Sequence, residues 1–371
     1  MDIRRLRKIE WLIPLFAIIL CIIGLIALYS ASYDTNLEEL KKQAIWIGVS
    51  IALMLIVMLI DYKFLVKISP MLYGISIIML IAVLFTKPIN GARSWFVIGD
   101  DLFSFQPAEI SKIFIILFMS FVISFIQIRN GRDEINKIAK LLVILLAIAI
   151  PLALIIVEPD YGTAAAYIVS FLLMIFVAGI DKKYIIASVL IIVIATPITY
   201  NFLLPKHAKD RIDTFLNPES DPTGAGYNIL QSKLAIGSGQ ITGMGVLKGN
   251  QTQLGYLYPK TTDFIFAVVG EEMGFIVACS VILLNIMIIV KAVQVAKGIK
   301  DEAGAYVAIG IAGIFLFHTL ENIGMTMGLL PITGVPLLFV SYGGSSMMTS
   351  FIAIGILLNI SSQRRNGLFN K

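Results

Sequence analysis

Charge is what this chain has least of. Only 14% of its 371 residues are charged and 58% are hydrophobic, whereas soluble domains run near ~25% charged. The mean hydropathy of +0.90 excludes a soluble globular protein. Cysteine is scarcer still, at two residues. Cys21 and Cys279 both lie inside apolar runs, where they read as small core hydrophobes and form no disulfide framework. No phosphate-loop or dinucleotide spacing occurs, so no nucleotide is implied, and the two halves show no internal repeat. The net charge of +5 is scattered over short loops, with no stripe for a nucleic-acid backbone to follow.

Long apolar runs are what the chain does have. Ten are long enough to cross ~30 Å of hydrocarbon: Trp11–Ala31, Gln43–Ile60, Met71–Phe85, Ala108–Ile126, Ile138–Val157, Thr163–Ile180, Tyr184–Leu204, Asp263–Val290, Ala303–Leu329 and Val335–Ile360. The expectation is an all-α polytopic membrane protein of one domain, 1–371. The first run follows Arg4, Arg5, Arg7 and Lys8 like a signal peptide, but it is long and lacks a small-residue cleavage site, so it reads as a retained span. Eighteen basic residues fall in the N-terminus, the loops at Asp61–Ser69, Gln127–Lys140, Asp181–Lys183 and Lys291–Lys300, and the C-terminus. The opposite short loops hold Lys41, Lys42, Lys87 and Arg93. By the positive-inside rule both termini are cytoplasmic, and the long loop 205–262 faces outward.

That loop carries enough apolar residues, among them Phe215, Tyr227, Ile229, Leu230 and Leu234, to anchor short interfacial helices. Its glycines, in GSGQITGMGVLKGN, supply turns between them. It leads into YPKTTDFIFAVVGEEMGF at Tyr258–Phe275, where Asp263, Glu271 and Glu272 meet the membrane. Acids at such depth cost roughly 2.5–3.5 kcal/mol on insertion scales and usually face a protein interior or a wet cavity. Two readings of Asp263 stand open here, a functional carboxylate and a helix N-cap. Glu109 and Lys112, three apart on one helix face, form a candidate structural pair. His318, Glu321 and Asn322 share another face as a polar network. The final segment, GLLPITGVPLLFVSYGGSSMM, has too many prolines and glycines for a simple span. Non-helical backbone at membrane depth survives where protein or a cavity covers it, so a broken or re-entrant element is expected.

The motifs NGARSWF at Asn90–Phe96, FQPAEISK at Phe105–Lys112, EPDYGT at Glu158–Thr163, RIDTFLNPESDPTGAGYNILQSKLAIGSG at Arg211–Gly239, TTDFIFAVVGEE at Thr261–Glu272 and NIGMTMGLLPITGVPLLFVSYGGSS at Asn322–Ser346 together resemble the SEDS family of shape, elongation, division and sporulation proteins. The likeness runs nearly end to end and leans to the RodA branch. Departures are Glu158 where glutamine is common, Gln240 where glycine is, and Lys260 in place of a usual LPE-x-H pattern.

The resemblance implies a peptidoglycan glycosyltransferase of the cytoplasmic (inner) membrane that polymerises lipid II, with undecaprenyl diphosphate leaving. It implies a class B penicillin-binding protein and rod-complex scaffold proteins as partners. The essential carboxylate falls on Asp263, and an inverting transfer needs one general base. Arg93, Lys112, Arg211 and Lys233, or a divalent cation such as magnesium or manganese, would meet the departing charge. Gln231, Ser232, Glu272 and Ser341 are further candidate substrate contacts. No residue set is assigned to a metal, and no cofactor is implied beyond such a divalent cation. The alternative from another class is a lipid II flippase, against which stand the missing repeat and the boundary position of Asp263.

Overall fold

The computed structural model describes residues 8–88, 93–98, 103–198, 200, 202 and 206–364. In chain order come α1 (Leu12–Ala31), α2 (Glu38–Leu59), α3 (Tyr62–Val83), a hairpin of β1 (Phe96–Ile98) and β2 (Phe103–Phe105), α4 (Pro107–Asn130), α5 (Ile138–Val157), α6 (Tyr161–Ala178) and α7 (Lys182–Ile198). Three short outer helices follow, α8 (Lys206–Leu216), α9 (Ala225–Ser238) and α10 (Asn250–Gln253). The chain closes with α11 (Ile265–Val268), a π-turn at Val269–Met273, α12 (Gly274–Gly298), α13 (Glu302–Thr326) and α14 (Gly344–Ser362).

Among the described residues nine helical runs are long and apolar enough to cross a membrane, with Ile265–Gly298 counted as one. The expected tenth, Tyr184–Leu204, is α7. It is described over 17 residues, Lys182–Ile198. Of the rest of that expected run, 199, 201, 203 and 204 lie outside the described residues.

Two span starts differ most from the hydropathy reading. The third span starts at Tyr62 rather than Met71, because the Asp61 carboxylate accepts from the Lys63 amide at 2.9 Å and caps it. Lys63 and Lys67 therefore sit on the first turns of a helix, exposed. The last span starts at Gly344 rather than Val335. Residues 327–343 ahead of it are irregular, with φ positive at Gly328, Gly334 and Phe339. This is the broken segment expected there.

Helices α13 and α14 form the centre, with 72% and 78% of their spans buried, against 22% for α2, α3 and α5. Helix α14 lies on α2, and α13 lies on α4, α6 and α12. Lipid offers no hydrophobic drive between helices, so close approach supplies the packing energy. A Cβ at Gly355 would lie 2.7 Å from the Met54 carbonyl oxygen, and one at Gly313 2.7 Å from Ser170 Cα.

The first and last described residues meet at the pole away from Asp263. Lys8 Nζ donates to the Arg364 carbonyl at 3.1 Å, and Glu10 pairs with Lys291 at 3.1 Å and Arg364 at 3.0 Å. At the other pole the outer helices close over the broken run. Met244 and Gly245 amides donate to the Glu271 and Glu272 carbonyls at 2.9 and 3.0 Å, and the Phe275 amide donates to the Gln240 carbonyl at 2.8 Å. These bonds satisfy the groups freed where the α-helix gives way to the π-turn and to Gly274 at φ +80°.

Candidate active site

Asp263 stands two residues ahead of α11. Phe264 occupies the N-cap position and no side chain caps that helix, so the capping reading of Asp263 lapses. Its carboxylate is half-buried and hydrogen-bonded to Thr262. Burial pushes it above the usual aspartate range, while the Thr262 bond and the Arg211 charge pull it back. Opposite it is bare backbone: Gly334 has φ +76°, and a Cβ there would stand 3.7 Å from Asp263 Oδ2. Only glycine holds that conformation without strain.

The residues around Asp263 are fixed from the core outward. Asn322 Nδ2 donates to the Asp263 carbonyl at 3.0 Å and to the Val335 carbonyl at 2.9 Å. Ser341 Oγ donates to the Thr262 carbonyl at 2.7 Å and accepts from the Leu337 amide at 2.9 Å. The Tyr342 amide donates to the Thr261 carbonyl at 2.9 Å. Gln43 of α2 joins in, its Nε2 donating to the Ser341 carbonyl at 3.0 Å and its Oε1 accepting from the Gly343 amide at 3.1 Å. Thr333 Oγ1 donates to Glu321 at 2.7 Å. Residues 261–263 and 333–343 are thus bound into one unit on α13.

Several residues expected to meet substrate are committed elsewhere. Glu272, 2% exposed, accepts through Oε1 from Ser30 Oγ at 2.7 Å, Gln253 Nε2 at 3.1 Å and the Gly249 amide at 3.3 Å. Glu271 accepts from the Gln251 and Thr252 amides and from Thr252 Oγ1 at 2.7, 3.0 and 2.6 Å. Both acids fasten α10 to the broken run. Ser232 is buried and donates to the Thr326 carbonyl at 2.8 Å, tying α9 to the end of α13. Ser341 serves the loop as described. Lys112, 2% exposed, is held by Glu109 at 2.6 Å and His318 at 2.9 Å. The space beside it is about 10 Å³, room for one water and not for a diphosphate.

The open cations are Arg93, Arg211 and Lys233, all exposed. Arg93 donates to the Leu84 carbonyl at 3.2 Å, at the end of α3. Lys233 rests on the end of α13, where a Cβ at Gly328 would collide with its Cε. Gln231 is half-buried on the same helix, α9.

Sequence reading did not single out two other features, and it named a third, Glu158, only as a departure from the family pattern. A cavity of about 370 Å³ opens beside Thr262, walled by Lys42, Trp46, Trp95, Ser104 and Tyr342. Its walls come from four separate stretches, so no local pattern announces it. Asp160 accepts from Gln106 Nε2 at 2.8 Å and caps α6 through the Thr163 amide at 3.0 Å. Both residues lay inside motifs already quoted, which was the available signal. Glu158, fully buried, has neither carboxyl oxygen hydrogen-bonded. Burial, and then the Asp160 charge, push it up to about 8.

A membrane bundle whose central helices brace an acid-bearing broken helix at one pole defines the class. A family model described as cell cycle protein, FtsW/RodA/SpoVE, matches residues 10–366, and the chain belongs to that family. It is 31% identical to a Treponema pallidum protein named peptidoglycan glycosyltransferase RodA, over 98% of this chain and 100% of that one. It is 35% identical to Escherichia coli peptidoglycan glycosyltransferase MrdB, over 95% and 93%. The fold matches a chain from a structure described as "Structural coordination of polymerization and crosslinking by a peptidoglycan synthase complex", with a TM-score of 0.81, 24% identity, and 95% and 97% coverage. Among the described residues no group of three His, Cys, Asp or Glu side chains converges to hold a metal ion.

Proposed function

We propose that this chain is a peptidoglycan glycosyltransferase that polymerises lipid II at the outer face of the cytoplasmic membrane, with Asp263 as general base. The observation that carries the reading is the Asp263 carboxylate, raised by burial, facing open backbone at Gly334 on a scaffold that fixes its own main chain. A raised carboxylate is the better proton acceptor near neutral pH. Family membership and the glycosyltransferase names of the relatives supply the substrate class.

In the reaction an acceptor sugar 4-hydroxyl attacks the anomeric carbon of an α-linked sugar diphosphate. The new C–O bond forms as the bond to the diphosphate breaks, inverting the centre to β. Asp263 takes the hydroxyl proton, and no covalent enzyme intermediate is required. Negative charge grows on the leaving diphosphate. Arg211, whose charge is felt at Asp263, and Lys233 are the cations placed to meet it. A divalent cation bound with the substrate diphosphate would add to the same neutralisation. The aromatic cavity beside Thr262 is of a size for sugar rings, which stack on indole faces while their hydroxyls find polar groups.

Orientation follows the charge rule, by which the eighteen basic residues mark the cytoplasmic side; the contacts of Lys8 and Glu10 with Arg364, which join the two described chain ends, support having both on one side. A class B penicillin-binding protein would crosslink the product, with rod-complex scaffold proteins organising the pair.

The test is purified protein, alone and with its penicillin-binding partner, given lipid II in detergent. Glycan chains are expected. Asp263→Asn should lower the rate at least about 100-fold with little change in melting temperature, since the amide keeps the shape. Near-normal polymerisation by Asp263→Asn would remove the base assignment. No polymer with or without partner, together with lipid II movement across vesicles, would replace the enzyme by a transporter.

A further inference from the structure

His318 lies on α13 one turn below Asn322, and both side chains reach the same irregular loop. Asn322 Nδ2 grips the Val335 carbonyl at 2.9 Å, and His318 Nδ1 lies 3.0 Å from the next carbonyl, that of Pro336. Residues four apart on a helix share a face, so consecutive carbonyls of the loop are held by two rungs of one ladder. The upper rung also holds the Asp263 main chain.

The lower rung works with only one imidazole tautomer. A carbonyl accepts, so Nδ1 must carry the proton, and a neutral ring then offers a lone pair at Nε2. Lys112 Nζ lies 2.9 Å from Nε2, and Glu109 Oε1 lies 2.6 Å from the same Nζ. An ammonium held by a carboxylate has only hydrogens to give. The ring's second nitrogen therefore sets the first, as an outer partner fixes a metal-bound histidine. Glu109, Lys112 and His318 are all buried, so water does not scramble the arrangement.

We propose that His318 is a positioning residue: through the tautomer imposed by the Glu109–Lys112 pair it clamps the Pro336 carbonyl, and so sets the loop that carries Gly334 opposite Asp263. The clamp rests on the glycosyltransferase reading for its catalytic consequence, though not for its existence. Displacement of a supporting element by ~1 Å can cost on the order of 100-fold in turnover, which makes the clamp visible in kcat.

Two substitutions split the two faces of the ring. In His318→Asn the amide NH₂ stands where Nδ1–H stood and can still donate to Pro336. In His318→Gln the amide oxygen stands where Nε2 stood and satisfies Lys112, leaving Pro336 without a donor. With the protein and its penicillin-binding partner acting on lipid II, His318→Gln is expected to lose about tenfold or more in kcat with KM within about twofold. His318→Asn should retain most of the turnover. The chain has two histidines, so ¹⁵N-histidine labelling in a His207→Gln background leaves one ring to observe. It should show the Nδ1–H form, and the Glu109→Leu/Lys112→Met double variant, in which the Pro336 carbonyl is the one partner left to hold the ring, should show a larger share of the Nε2–H form than the parent. A ring protonated at Nε2, or His318→Gln turning over like the parent, overturns the proposal. If the parent made no polymer, the glycosyltransferase reading would fail, while the ring spectrum would still decide the clamp.

Discussion

The buried pair of α4 allows a prediction whose size follows from the structure. Lys112 Nζ and Glu109 Oε1 are 2.6 Å apart, with side chains 1% and 5% exposed. At an effective dielectric near 20 the attraction is roughly 6 kcal/mol, offset by a desolvation cost of several kcal/mol for each ion. The net worth of the pair is therefore small. The cost of halving it is not: Lys112→Met or Glu109→Leu alone strands a buried charge and should cost about 3–5 kcal/mol. Replacing both removes the charges together. What then remains is the His318 Nε2 atom left without its donor, about 1–3 kcal/mol for an unsatisfied buried polar atom. Additive singles would total about 8 kcal/mol and paired charges about 2 kcal/mol. At about 2 °C per kcal/mol for a large chain, the two cases differ by about 12 °C in the detergent melting temperature of the double variant. A double variant that melts at the sum of the single losses would show that the charges do not compensate each other.

Glu158 and Arg211 carry pH predictions of opposite kinds. Burial raises Glu158 from 4.5 to about 8, so the folded protein holds that proton more tightly than the unfolded chain. Stability from this group is complete below about 4.5, falls as pH rises towards 8 and levels off above. Glu158→Gln never ionises, so its melting temperature, read from pH 5 to pH 9, should drop less than the parent's, and parallel curves would refute the assignment. Arg211 lowers the Asp263 carboxyl. In Arg211→Ala the acidic limb of the polymerisation rate should therefore move to higher pH, and an unmoved limb with a raised KM would place Arg211 on the diphosphate alone.

The order of the spans was legible because hydropathy over twenty residues is a property of composition. Where helices begin was less so. Asp61 starts α3 nine residues early through one hydrogen bond to Lys63, and no window average registers a cap. The Glu109–Lys112 pair could be read because it is local. Its third member could not, since Lys112 and His318 are 206 residues apart in the chain and meet only when α4 packs on α13. The same limit explains the acids. Sequence marks Asp263, Glu271 and Glu272 alike as intramembrane carboxylates, and the motif alone singles out the first. The fold separates them by donor supply. Glu271 has three donors from α10, Glu272 has Ser30, Gly249 and Gln253, Glu109 has Lys112 and Glu321 has Thr333. The bonds that Glu109, Glu271 and Glu272 accept commit those acids to holding the fold together. Asp263 is met by Thr262 and the more distant charge of Arg211, with burial outweighing both, and it faces glycine backbone. That opening leaves room for a substrate hydroxyl at Asp263, whereas Glu271 and Glu272 are committed to the α10 segment.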